Sequence, residues 1–231
     1  MPIGGRSLSF RAISQESLKF FMLNSDGFDL WSGDYDASVL RADERGLYPF
    51  AGYANVMNAI YGAVMAASPA SVLDVGFGTA FLTAKLCDAG NRITGLDFSP
   101  EMVKIASAKM PGADLLQWDF SRGVPPSLDG RTFDFIISTY ALHHLPDDAK
   151  VRFIAALLGL LEPDGTILIG DVCFHTRNGL LACKAGCGDE WDDDEFYFVF
   201  SELHERLSSV CSLAFHPFSF CAGVIEVRKK L

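Results

Sequence analysis

The stretch STYALHHLPDDAK (138–150) sets Tyr140, His143 and His144 directly after the apolar run FDFIIS. Imidazole is the side chain whose proton equilibrium lies near neutrality, so a histidine held there can take a proton from an attacking amine or hydroxyl. In a helical turn Tyr140 and His144 share a face while His143 points about 100° away, so one histidine is expected to look into a site. The alternative is that one ring packs against a ligand and the other bonds a backbone carbonyl, with no proton moved.

A second constellation binds rather than reacts. VLDVGFGTAFLTAKL (72–86) has the pattern of a strand, a glycine turn and a helix, which aims backbone amides and a helix N-terminus at a ligand. Gly76 would supply the tight turn and Gly78 the close backbone approach. The dinucleotide fingerprint needs a third glycine five residues after the first; here that position is Phe81, preceded by Ala80. The loop therefore suits a ligand that brings no pyrophosphate. Asp97 follows Gly76 by 21 residues at the end of the next apolar run, where a carboxylate can accept both ribose hydroxyls. A capping role is the alternative for Asp97, but Ser99 already occupies the cap position before Pro100. In QWDF (117–120), Asp119 can accept from an exocyclic amine while Phe98, Trp118 or Phe120 lies against a flat ring, which describes an adenine pocket. A turn aspartate between core aromatics fits that segment equally well.

These residues need a scaffold that brings strand ends together. The runs SVLDV (71–75), RITGLD (92–97), ADLLQWD (113–119), FDFIIST (133–139) and GTILIGDV (165–172) alternate with helical patterns, which predicts a parallel sheet with helices on both faces. Gly90, Pro111-Gly112 and Pro163-Asp164-Gly165 are the expected helix stops. Residues 48–67 are expected as one helix and 195–209 as another. CSLAFHPF and FCAGVIEVRKK form two strands joined tightly around Ser219, giving an antiparallel edge hairpin. With no internal repeat or linker, a single domain is expected, with residues 1–47 an N-terminal cap on a core of residues 48–231.

Composition narrows the partners. The formal charge is −10 and no basic stripe occurs, so nucleic acid is not an expected partner. No apolar run approaches the roughly 20 residues that span a bilayer, so no membrane partner is expected either. The N-terminus lacks the pattern of a signal peptide, and the six cysteines are scattered among apolar neighbours like free thiols, so a cytoplasmic location is the default. Cys173, His175, Cys183 and Cys187 contain no C-x-x-C pair and their spacing is loose, so no metal is expected. DEWDDDE (189–195) suits a solvated acidic loop, or a lid whose Trp191, Tyr197 or Phe198 meets a cationic acceptor.

Taken together, VLDVGFGTA, ITGLDFSPEMVKIA, LLQWDF, FDFIISTYALHHL and LLEPDGTILIGDV fall in the order and spacing of one family. The chain resembles the Rossmann-like S-adenosylmethionine-dependent methyltransferases over about residues 50–172. It is similar in particular to the bacterial YrrT-type group, through Trp31, Tyr35 and Asp36 and through STYAxHHL. The resemblance implies a doubly wound, mostly parallel seven-stranded α/β sheet and S-adenosyl-L-methionine as cofactor. It implies Asp74, Gly76, Phe77 and Gly78 around the donor's methionine part, Asp97 at the ribose, and Phe98, Trp118, Asp119 and Phe120 at the adenine. Ser138 would begin the segment beneath the sulfonium, and Tyr35 and Tyr53 would close over the donor. Ala80 departs from the glycine common at that position.

The expected activity is in-line methyl transfer to a small-molecule acceptor, with Tyr140, His143 and His144 nearest the methyl. A thiolate or carboxylate acceptor would need no base. Two other readings stay open: a non-catalytic protein that binds the donor with the same residues, and a nicotinamide-dependent oxidoreductase, against which Phe81 and QWDF speak. Neither the acceptor nor the oligomeric state follows from the sequence.

Overall fold

The computed structural model describes residue 39 and residues 42–230. Trp31, Tyr35, Asp36 and most of the expected cap lie outside them. The apolar runs form the centre of the sheet: β1 (Ser71–Val75), β2 (Arg92–Asp97), β3 (Asp114–Gln117), β4 (Phe133–Thr139) and β5 (Leu161–Phe174), all parallel. β7 (Cys211–Pro217) and β8 (Ala222–Lys229) form the expected hairpin, and β8 runs antiparallel to β5. The order is β3-β2-β1-β4-β5-β8-β7, with a short β6 (Phe198–Val199) paired in parallel to the end of β5.

Period-two alternation along the strands feeds two apolar layers. Leu73, Ile136, Ile167 and Ile225 point to the face covered by α4 (Asp147–Leu157) and α6 (Phe200–Leu207). Val72, Ile137, Leu168 and Val224 point to the other, covered by α1 (Tyr53–Met65), α2 (Phe81–Asp88) and α3 (Pro100–Lys109). Each such buried side chain contributes about 1.5–3 kcal/mol. A third cluster joins Tyr48, Phe174 and Leu180 of α5 (Arg177–Cys187) to Tyr197 and Val199. It covers the carboxyl end of β5.

Three elements differ from the sequence expectation. α1 begins at Tyr53 rather than residue 48, because Gly52 takes a left-handed φ of 85° that a continuing helix cannot include. β5 begins at Leu161, ahead of Pro163-Asp164-Gly165. Leu160 and Leu161 are already buried, so the chain enters the sheet before that corner, and the register jumps between Phe133 and Phe135. Residues 195–209 are not one helix: Tyr197, Phe198 and Val199 are buried, and the last two add β6 before α6 starts at Phe200.

Candidate active site

The glycine loop lies between β1 and α2, at the carboxyl edge of the sheet, where open α/β sheets bind ligands. Gly76 has φ 74°, and a Cβ added there would lie 2.5 Å from the Ala141 Cβ. The glycine loop and the segment carrying the histidines are therefore in direct contact. Gly78 has φ 53° and open space where a Cβ would stand. Its amide donates to Asp97 Oδ2 (2.8 Å), while the Ser99 amide donates to Asp97 Oδ1 (2.9 Å). Asp97 thus shapes the loop, and each carboxylate oxygen keeps a lone pair for a ribose hydroxyl. Ser99 caps α3 as expected, accepting from the Met102 amide. Ala80 adopts φ 60° and ψ 35°, a left-handed conformation that explains the usual glycine at this place.

Asp74 is fully buried on β1. Thr83 donates to its Oδ2, while Oδ1 has no partner among the described residues. Burial pushes its carboxyl up to about 7, opposed by the Thr83 hydrogen bond and aided by the charge of Asp97. A buried acceptor without a donor calls for one. The ammonium of S-adenosylmethionine is such a donor, so Asp74, the open Gly78 and the ribose-ready Asp97 fit that cofactor.

The aromatic candidates separate. Phe98 is 64 % exposed at the end of β2 and can present a ring. Trp118 is engaged elsewhere: its indole donates to the Gly123 carbonyl (2.7 Å) and lies under the Arg122 guanidinium. Phe120 is buried on Phe153, with one edge facing Gly76. The Phe77 ring is core, filling the space over Gly95, which leaves its backbone to line the loop. Asp119 is exposed and caps the turn Phe120–Arg122 through the Ser121 amide. That hydrogen bond, with Arg122 nearby, holds its carboxyl below the usual range. Ser138 is buried, and its hydroxyl donates to the Val75 carbonyl (2.8 Å), tying the ends of β4 and β1 together. Tyr35 lies outside the described residues.

Tyr140 and His144 do not share a helical face. Tyr140 has φ 49°, and only Leu142–His144 forms a helical turn, a single 3₁₀ turn. The left-handed residue redirects Tyr140 onto Tyr53 and Phe50, with ring centroids 5.0 and 5.8 Å away. Its hydroxyl is buried without a partner among the described residues, and burial raises its pKa well above the ordinary phenol value, with the charge of Asp171 adding to the shift. Tyr53, expected to close over the donor, packs its ring on that of Tyr140. His143 is buried, with Nδ1 2.7 Å from Asp171 Oδ1 and Nε2 3.4 Å from Glu195 Oε1. His144 is exposed, its ring 4.3 Å from that of His143.

Asp171, Tyr48 and Lys150 were not among the expected site residues, while Glu195 and Tyr197 were expected only as part of the acidic loop or a lid. Tyr48 donates to the Tyr197 hydroxyl, and Tyr197 in turn hydrogen-bonds Glu195. The Lys150 amine is wholly buried and donates to the Phe196 carbonyl, and the Phe196 amide donates to the His143 carbonyl (2.8 Å). Burial opposes the charged form of His143, but Asp171 and Glu195 outweigh it and push its pKa up to about 10. The same contact with His143 holds Glu195 down at about 2. His144 is lowered, by burial and by its charged neighbour. Only the charge inside GTILIGDV hinted at Asp171. Cys173, His175, Cys183 and Cys187 assemble no metal-ligating group among the described residues; the group close enough to share a cation is His143, His144 and Glu195.

Residues 72–165 match the methyltransferase domain family Methyltransf_25. An uncharacterized methyltransferase of Oceanobacillus iheyensis is 36% identical over 152 residues, 66% of this chain and 68% of that one. The YrrT methyltransferase of Bacillus subtilis is 35% identical over 149 residues, 64% and 67% of the two chains. The fold is that of magnesium protoporphyrin IX methyltransferase of Synechocystis, solved with S-adenosylhomocysteine bound (TM-score 0.62, 18% identity, 93% of this chain and 100% of that one). With its donor loop, its sheet order and these relatives, the chain belongs to the Rossmann-like S-adenosylmethionine-dependent methyltransferases, alongside the YrrT-type group.

Proposed function

We propose that the chain transfers a methyl group to a small-molecule acceptor held against Tyr140, His143 and His144. The observation that carries this reading is the contact of Ala141 with Gly76, which joins the donor loop to the histidine segment. S-adenosylmethionine supplies an electrophilic methyl on a sulfonium. Asp74, Gly78 and Asp97 would hold its ammonium, backbone-facing edge and ribose, with Phe98 against the adenine. Tyr53 and Tyr140 exclude water with their rings. In-line displacement depends chiefly on alignment, so positioning is the main task of these groups.

Both nitrogens of His143 are engaged by carboxylates, so it cannot act alone as the base. Proton removal, where the acceptor needs it, falls to the polar end that His143 forms with His144 and Glu195. The net charge of −10 and the exposed acidic residues Asp189–Asp194 favour a small acceptor over a nucleic acid, and a cytoplasmic single-domain enzyme agrees with the free cysteines. Among the described residues no helix is long and apolar enough to cross a membrane.

Thermal unfolding with S-adenosylmethionine, S-adenosylhomocysteine and NAD tests donor choice, since a ligand of the native state raises its midpoint. Stabilisation by NAD alone would overturn the reading. Transfer of labelled methyl into metabolite extracts, lost in Asp97→Ala, tests catalysis. Donor binding without labelled product across varied extracts would support a non-catalytic binding protein instead.

A further inference from the structure

We propose that His143, His144 and Glu195 form a site for one divalent cation of the zinc class, at the acceptor end of the pocket. One ligand atom from each of the three lies within 4.8 Å of the other two. His143 Nε2 and Glu195 Oε1 are 3.4 Å apart. Two ligands of a tetrahedral zinc ion, each about 2.0–2.1 Å from it, are separated by about 3.4 Å, so one edge of the coordination shell is already built. His144 is exposed and supplies the third nitrogen of the group.

The surroundings are those of a metal ligand set. An ionised carboxylate only accepts, so Asp171 Oδ1 fixes the proton of His143 on Nδ1. Carboxylate–histidine pairs of this kind orient metal-bound imidazoles and raise their basicity. Asp171 is itself held, because the Val172 amide donates to the same oxygen (2.7 Å). Nε2 faces Glu195 Oε1, so a metal ion there would take the place of the proton that otherwise lies between the two groups. A proton serves only those two groups, whereas a metal ion would also engage the His144 nitrogen. The convergence of a third nitrogen favours a metal. Glu195 is braced through Tyr197 and Tyr48, and the neighbouring backbone through Lys150 and the Phe196 amide. Two imidazoles and one carboxylate, with no thiolate, suit zinc and similar borderline ions. Three protein ligands leave a fourth position open, as in catalytic zinc sites.

The role of the ion rests on the methyl-transfer reading. An acceptor hydroxyl or thiol at the open position would lose its proton to solvent more readily, because a bound divalent cation lowers the pKa of its ligand. The acceptor atom forms its bond to the methyl carbon as the carbon–sulfonium bond breaks. The electron pair of that bond stays on sulfur, which becomes a neutral thioether.

The test uses the full chain, stripped with a chelator and titrated with Co²⁺ and then Zn²⁺. Expected are one Co²⁺ per chain, visible d–d bands without thiolate charge-transfer absorption, and displacement by Zn²⁺. His144→Ala and Glu195→Gln should weaken binding at least tenfold, and Asp171→Asn by about 10–100-fold. Circular dichroism checks that each variant is folded, and His144→Ala, an exposed position, is the safeguard. Absence of stoichiometric binding would overturn the proposal, as would thiolate bands that persist in His144→Ala and mark Cys183 and Cys187 as the ligands. So would two ring N–H signals on His143 at neutral pH with Zn²⁺ present. Donor binding is measured separately: cobalt binding without a shift by S-adenosylhomocysteine would sink the methyl-transfer reading and leave the metal site, and the reverse pattern would sink the metal site alone.

Discussion

His143 Nδ1 lies 2.7 Å from Asp171 Oδ1 on β5, and both side chains are buried beyond the end of β4. Asp171 follows Gly170, the partner of Thr139 at the end of β4, so the ion pair fastens the histidine segment to the next strand. Removing Asp171 breaks this buried pair, which costs about 3–5 kcal/mol. Asp171→Ala is therefore expected to lower the melting temperature by roughly 6–20 °C, at about 2–4 °C per kcal/mol in a chain of this size. Because Asp171 does not touch the glycine loop, donor affinity at a temperature where the variant is folded should change less than about twofold. A shift under 2 °C in calorimetry would show that the pair carries no stability.

The two loop glycines have opposite reasons to be glycine, and substitution separates them. A methyl at Gly76 meets the Ala141 Cβ at 2.5 Å in addition to the left-handed strain of φ 74°. Overpacking of this kind costs about 1–3 kcal/mol and the strain about 1–2 more. A methyl at Gly78 meets nothing, so only the strain applies. Gly76→Ala should unfold in markedly less urea than Gly78→Ala, whereas Gly78→Ala should show the larger loss of donor affinity per unit of stability lost. Equal urea midpoints would contradict the packing.

With Asp74 proposed to hold the donor ammonium, donor binding is expected to depend on pH. Its pKa is raised from 3.8 to about 7, so between those values the folded state holds a proton that the unfolded state has released. Stability from this group therefore falls as pH rises from about 4 to about 7 and is level above. A donor ammonium needs the ionised form, whose fraction limits apparent affinity. S-adenosylmethionine should bind several-fold tighter at pH 7.5 than at pH 6, a window kept below the titration of its own amine at about 8. Calorimetric titration of Asp74→Asn should show weaker binding without that slope; a wild-type affinity flat over the window would remove Asp74 from the donor site.

The glycine loop and its contact with Asp97 were legible because their determinants are local. A strand, a glycine turn and a strand-end carboxylate are read within one βαβ unit, and the sheet order follows from the alternation of the runs. The histidine segment depends on contacts that sequence spacing does not encode. Asp171 meets His143 across 28 positions and Phe196 meets Lys150 across 46. The helical-face argument for Tyr140 and His144 failed on one backbone angle, φ 49° at Tyr140, which nothing in the residue type foretells. Residue type also does not give direction: Phe77 and Trp118 are aromatic as the donor site requires, yet both rings turn to other partners.

Ala80 tests whether strain or packing governs the third loop position. Its left-handed φ of 60° costs about 1–2 kcal/mol, which Ala80→Gly would relieve. The same change removes a completely buried methyl, a loss of about 0.8 kcal/mol, and frees the unfolded chain by about 0.4–1 kcal/mol. The two sides nearly cancel, so the expected change in unfolding free energy is within about 0.5 kcal/mol of zero. The glycine common at this place in related loops would then owe nothing to stability, and donor affinity becomes the deciding measurement. A gain beyond 1 kcal/mol would mean that the Ala80 methyl contributes no packing against α2. A loss of that size would mean that the backbone strain is already relaxed.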